Sequence, residues 1–150
     1  MTVPIVPGIR VRPVTDADVP VIRSLLVQLG YDLAPEEVMR RLAAVRASPD
    51  HVVLAGESDG RMISLLHLYI RPALEKPPEV VVQALVVDAT RRQGGIGKRM
   101  MAAAEAWARD RSLRSVALAS HVVRDEAHAF YAALGYERVA TSHLLRKVLG

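Results

Sequence analysis

The chain of 150 residues contains no cysteine. That absence excludes disulfides, thiolate-rich metal sites and any route through an acyl-cysteine intermediate. Aromatic residues are nearly as scarce, with four Tyr, one Trp and one Phe. None is interleaved with the basic residues, so stacking on single-stranded bases is not expected. No stretch of 18 residues is free of charge, which excludes a spanning helix. Residues 1–8 lack the charged region and apolar length of a signal peptide and read as a flexible N-terminal segment. The five histidines, His51, His67, His121, His128 and His143, form no i, i+4 pair, and no metal is expected. Internal repeats, low-complexity tracts and linkers are also missing. These absences leave one cytoplasmic domain over residues 1–150, long enough to bury roughly two-thirds of its unfolded surface.

What is present is unevenly placed. The formal charge is +4, yet residues 91–114 carry seven Lys/Arg against two Asp/Glu. A basic patch can face nucleic acid, a membrane surface or a phosphorylated small molecule. This one coincides with a glycine-rich turn, which favours the small molecule. Neither nucleic acid nor membrane is an expected partner.

Residues 80–87 (VVVQALVV) form an apolar strand, followed by the turn Asp88-Ala89-Thr90-Arg91-Arg92-Gln93-Gly94-Gly95-Ile96-Gly97 and a helix from Lys98 to Arg109. The first turn of a helix leaves backbone N–H groups unpaired and carries partial positive charge. Glycine allows positive φ and removes the Cβ that would hold a phosphate off the backbone. With Arg91, Arg92, Lys98 and Arg99 around it, the turn reads as a pyrophosphate cradle. A P-loop is excluded because positions 92 and 99 are Arg. A dinucleotide fingerprint fails at Met100, where Gly or Ala is needed.

The rest of the chain supplies an α/β frame. Residues 9–14 alternate as a strand ending near Pro13. Thr15 reads as a cap for a helix burying Val19, Ile22, Leu25, Leu26 and Leu29 and stopping at Gly30. Pro35 opens a second helix, with Val38, Leu42 and Val45 inward. Strands over 51–57 and 62–70 flank a turn at Ser58-Asp59-Gly60, and 71–78 is an irregular link. In the helix after the cradle Ile96, Met100, Ala103, Ala104 and Trp107 share one side. Residues 115–121 form a short strand, 125–134 a helix stopped by Gly135, and 137–148 a closing hairpin.

The run Arg92-Gln93-Gly94-Gly95-Ile96-Gly97 resembles the acetyl-CoA-binding signature of the GNAT superfamily of N-acyltransferases. Ala127-His128-Ala129-Phe130-Tyr131-Ala132-Ala133-Leu134-Gly135-Tyr136 is similar to a second stretch common in that superfamily. The resemblance covers residues 9–148. It implies a mixed, mostly antiparallel twisted sheet of six to seven strands flanked by about four helices, with splayed central strands forming an acetyl-CoA cleft. A bulge in the 80–87 strand would free backbone groups for the pantetheine arm. The implied cofactor contacts are Leu85, Val86 and Val87 on the strand and Arg92, Gln93, Gly94, Gly95, Ile96, Gly97 and Lys98 at the cradle. Arg124, Ala127 and Tyr131 complete the set. Ser120 lies in the same loop as Arg124.

The resemblance also implies that Tyr131 donates a proton or hydrogen bond to the departing coenzyme A thiolate. A phenol near pKa 10 and a thiol near 8.5 are mismatched by roughly 2 kcal/mol, so hydrogen bonding without full transfer is sufficient. The bland alternative is that Tyr131 packs beside Phe130. The family often has Glu on the central strand, whereas this chain has Gln83, and an amide is no base at neutral pH. Glu79, His67 and His121 are the substitutes, each with a structural alternative; Gln83 retains a capacity to orient the acceptor or a water. The expected activity is acetyl transfer to a primary amine of a small molecule by direct attack in a ternary complex, with no metal and with a homodimer as a further expectation. Two alternatives stand beside it: a non-catalytic acyl-CoA-binding module, and an acetyltransferase acting on protein amino groups.

Overall fold

Asp59 and Gly60 both take positive φ, 52° and 74°, the left-handed pair that a two-residue hairpin turn needs. In the computed structural model, which describes residues 8–92, 94–120 and 125–150, this turn joins β2 (His51–Ser58) to β3 (Arg61–Arg71). The expected flexible segment at 1–8 lies outside the described residues except for Gly8. The chain divides into two compact units, Met1–Ala119 and Ser120–Gly150.

In the first unit β1 (Arg10–Pro13) pairs antiparallel with β2, and β3 pairs antiparallel with β4 (Glu79–Val87). The short β5 (Val116–Leu118) runs parallel to β4 at the edge, giving the order β1-β2-β3-β4-β5. Helices α1 (Val19–Leu29) and α2 (Pro35–Arg46) cover one face. Their Val19, Ile22, Leu25, Val38 and Leu42 pack with Val53, Ala55, Leu65 and Val86 of the sheet. Gly30, at φ 108°, stops α1, and its amide and that of Tyr31 return to the carbonyls of Val27 and Leu26. Proline at the first position of α2 needs no N–H partner, as the sequence suggests.

Neighbouring strand residues point to opposite faces. Ala55 faces α1 and α2, so Gly56 faces α3 (Ile96–Asp110). A Cβ on Gly56 would lie 1.9 Å from Ser64 Oγ and 2.9 Å from Met100 Sδ. Helix α3 starts two residues earlier than expected and buries Ile96, Met100, Met101, Ala104 and Ala108. Trp107, placed inward by the sequence reading, is half-buried and lies 3.9 Å beneath the Arg111 guanidinium.

At the entrance to α1, Arg12 binds Asp18 through both terminal nitrogens, at 2.7 and 2.9 Å, and Glu57 through Nε at 2.6 Å. Asp18 also accepts from the Thr15 backbone N–H at 2.7 Å. The hydrogen bond from Arg12 holds the Asp18 carboxyl below its ordinary value, against burial, with Thr15 assisting. The network ties β1, β2 and the start of α1 together.

The second unit contains α4 (Asp125–Ala133). Gly135, at φ 92°, ends it, with the amides of Gly135 and Tyr136 bonded to the carbonyls of Ala132 and Tyr131. Residues 136–150 form neither helix nor strand. The expected closing hairpin is therefore absent, and the described residues hold five strands rather than six to seven. A two-stranded ribbon is marginal alone, and the described residues of this unit offer no other strand to pair with. No described helix is long and apolar enough to cross a membrane.

Candidate active site

Strand β4 pairs with β3 along its whole length but with β5 only at its start. Val80 donates its N–H to the Ser115 carbonyl at 3.1 Å, and Val80, Val81 and Val82 align with Val116, Ala117 and Leu118. Pairing with β5 then stops. At the same level the β3 register jumps: His67 aligns with Ala84 but Leu68 with Val82, leaving Gln83 as the extra residue of a bulge. Backbone groups alternate sides along a strand, and one extra residue inverts that alternation. Before the bulge Val80 addresses β5. After it, Asp88 donates to the Ile63 carbonyl at 2.8 Å, so the groups of Leu85 and Val87 turn away from β3, onto the side β5 has left. The Val87 carbonyl accepts from Arg92 Nε at 3.3 Å. The expected bulge is present, and β5 pairs with β4 only as far as Leu118.

The turn beyond β4 is held by its own side chains. Asp88 accepts from the Thr90 N–H at 3.0 Å and its hydroxyl at 2.9 Å, and the Gln28 side chain accepts from the Ala89 N–H at 2.8 Å. Arg91 donates to Ser58 Oγ at 3.1 Å. Gly95 adopts φ 77° at the start of α3, and among the described residues no side chain caps this end. The first helical bond runs from the Arg99 N–H to the Gly95 carbonyl at 3.0 Å, so the amides from Gly95 to Lys98 have no helical partner. Gly94, Gly95, Arg92 and Lys98 are exposed, while Ile96 is buried beneath them and anchors the bend. Open amides, a positive helix end and two flanking cations fit a diphosphate. Gln93 lies outside the described residues.

Glu79 sits at the entrance to β4. It is bound by Arg71, accepts from Ser115 Oγ at 3.1 Å, and has Lys76 Nζ at 3.7 Å. Burial acts to raise its pKa, but the hydrogen bonds from Arg71 and Ser115 prevail and keep it low. So held, the carboxylate ties β3 to the residue leading into β5 and is a poor proton acceptor. Gln83 is exposed at the bulge.

One contact was not legible beforehand: His51 Nδ1 and His67 Nε2 lie 2.9 Å apart, one donating to the other. His51 also stacks on Tyr69, with centroids 5.2 Å apart and planes at 15°. Burial, and then the nearby His51, push the His67 pKa down to about 4. His121 and Arg124 lie outside the described residues. In the second unit Tyr131 is half-buried on α4, edge-on to Phe130 at 5.0 Å and to Tyr136 at 6.0 Å, with Ala127 half-buried one turn earlier.

The acetyltransferase (GNAT) family model matches residues 20–136. The chain belongs to that family. Among its relatives is an aminoglycoside N(6')-acetyltransferase type 1 from Klebsiella aerogenes, 31% identical over 93% of this chain and 96% of that one. An aminoglycoside 6'-N-acetyltransferase from Acinetobacter baumannii shares the fold, with a TM-score of 0.83 at 18% identity over 95% of this chain and 100% of that one. So does AAC(6')-Iy bound to the bisubstrate analogue CoA-S-monomethyl-acetylneamine, with a TM-score of 0.83 at 19% identity over 94% and 99%. The acetyltransferase thus shares the fold of its family. Among its described residues no group of three or more His, Asp or Glu is placed to hold a metal ion.

Proposed function

We propose that this N-acetyltransferase transfers the acetyl group of acetyl-CoA to a primary amine of an aminoglycoside-like small molecule, by direct attack within a ternary complex. The observation that carries the reading is the bulge at Gln83, which turns Leu85 and Val87 outward where β5 ends. The open amides from Gly95 to Lys98 follow on the same strand-turn-helix. In this reading Arg92, Gln93, Gly94, Gly95, Ile96, Gly97 and Lys98 hold the diphosphate, and Leu85, Val86 and Val87 run beside the pantetheine arm. Arg124 and Ala127 add cofactor contacts, and Tyr131 hydrogen-bonds the leaving thiolate. Rate enhancement comes mainly from holding amine and thioester together. No metal takes part. Residues 1–150 act as one acetyltransferase domain in the cytoplasm. The homodimer expectation is supported by Val139, Leu144, Leu145, Val148 and Leu149, which are 82–92% exposed.

Thermal unfolding with and without acetyl-CoA, followed by thiol release against neamine and a panel of amines, tests the reading. Binding to the folded state at 100 times Kd adds about 2.7 kcal/mol of stability. A chain that acetyl-CoA leaves unmoved overturns it. A non-catalytic acyl-CoA-binding module is favoured by one observation, that β4 offers an amide at Gln83 and a carboxylate at Glu79 already engaged by Arg71 and Ser115. It predicts the same thermal shift with no thiol release from any amine.

A further inference from the structure

The amine must lose a proton, and neither residue on β4 is suited to take it. Gln83 is an amide and Glu79 is held by Arg71 and Ser115. His67 is differently placed. It lies opposite Ala84, beside the surplus residue Gln83, at the level where β5 ends its pairing with Val82. An acyl arm that starts at the α3 turn and passes Val87 and Leu85 ends at this level, about 13 Å along the strand at 3.3 Å per residue. We propose that His67 takes the proton shed by the attacking amine and passes it through His51 to water, an inference that rests on the acetyltransferase reading above.

The geometry supplies each part of that path. His67 Nε2 meets His51 Nδ1 at 2.9 Å, which leaves His67 Nδ1 as the receiving atom. The buried side-chain nitrogens and oxygens lacking a partner are Ser64 Oγ and Arg71 Nε among the described residues. His67 is half-buried, and among the described residues its ring is bonded through Nε2 alone. His51 is fixed by its stack on Tyr69. The groups facing His67 are few. From β2 there is His51; on β3, two residues along, the Tyr69 phenol; from β4, Ala84 and Gln83, which do not titrate. The charges further along the same face, Arg71 and Glu79, pair with each other.

With its pKa near 4, His67 is neutral at physiological pH and does not repel a cationic acceptor. A weak base suffices, because the amine nitrogen becomes strongly acidic as its bond to the acetyl carbon forms. The step balances. The N–C bond forms, the C–S bond breaks, and sulfur leaves with the electron pair. The nitrogen's proton goes to His67 Nδ1, the Nε2 proton to His51 Nδ1, and the His51 Nε2 proton to water.

The test uses the full chain, acetyl-CoA and neamine. His67→Gln should lower kcat about 100-fold at pH 7 while keeping the thermal shift with acetyl-CoA. The deficit should shrink to a few-fold near about pH 9.5, where hydroxide takes the proton of the tetrahedral adduct directly. His51→Gln should lose roughly 10-fold with the same pH trend, and it decides the matter if His67→Gln does not fold. In wild type, the imidazole proton resonance missing from His67→Gln should move when neamine is added. Unchanged kcat at pH 7, a pH-independent loss, or a resonance indifferent to neamine overturns the inference. A wild-type chain that acetyl-CoA stabilises but that acetylates no amine overturns it together with the catalytic reading. One that acetyl-CoA does not stabilise overturns the cofactor reading first.

Discussion

Between pH 6.5 and about 4 the His67 imidazole stays neutral in the folded chain, whereas an unfolded copy takes up a proton. The folded state binds fewer protons in that window, so stability present above pH 6.5 is lost as the pH falls towards 4. Asp18 adds a second, lower window. Arg12 keeps its carboxyl below the ordinary value of 3.8, so the stability it contributes is complete above 3.8 and lost as the pH falls below. Melting temperature against pH should therefore decline in two steps, and His67→Gln should flatten the upper step alone. Tyr131→Phe isolates the proposed donor to the leaving thiolate. Its kcat should fall about 10- to 100-fold with the acetyl-CoA thermal shift intact, and unchanged turnover would remove the role. The family resemblance singled out Tyr131, and His67 was a candidate by residue type and its place on the preceding strand. The sequence could not show that Glu79 is engaged, because its partners Arg71 and Ser115 are distant in the chain and meet it only when β3, β4 and β5 align.

At the scale of elements, the strand-turn-helix was legible because each piece has a local cause: the apolar run, the glycine at φ 77°, the amphipathic helix. Gly95→Ala should cost roughly 1 kcal/mol of stability, the usual penalty for a side chain in the left-handed region. It should also weaken acetyl-CoA binding, measured by calorimetry. Gly56→Ala should cost about 1–3 kcal/mol through crowding, because Met100 Sδ and Ser64 Cβ lie close even if the Ser64 hydroxyl rotates away. The His51–His67 contact was not legible, and the cause is a second irregularity. Ser58 aligns with Arg61 and Glu57 with Met62, but Gly56 aligns with Ser64, skipping Ile63. Counting from the turn without that skip pairs His51 with Leu68 and puts the two histidines on opposite faces. With it, His51 aligns with Tyr69 and the rings meet.

For the whole molecule, the charge concentrated over residues 91–114 should act on encounter more than on chemistry. Raising salt from about 0.05 to about 0.5 M shortens the screening length from roughly 14 to 4 Å. The KM for acetyl-CoA should rise while kcat holds, since the first depends on attraction to the polyphosphate; a flat KM would place the basic groups outside the binding path. Removing the Arg12 anchor should lower stability by about 2 kcal/mol on chemical denaturation, less than for a fully buried pair because its side chain is 21% exposed. The closing hairpin marks the limit of reading in the other direction. Residues 137–148 have apolar side chains in plenty, yet a strand is completed by a neighbour, and neighbours are not written in a local stretch of sequence.

A sheet counts in twos, and β4 holds one residue more than an even tally allows. Position 83 is thus defined by arithmetic before it is defined by chemistry: many side chains could stand there, but Leu85 and Val87 turn away from β3 because something does. Shorten the strand by that single step and its outer rim would keep one phase from end to end, inviting the neighbouring strand to zip onward into the space meant for a guest. Substitution at 83 should spare the thermal response to acetyl-CoA, while deletion should abolish it.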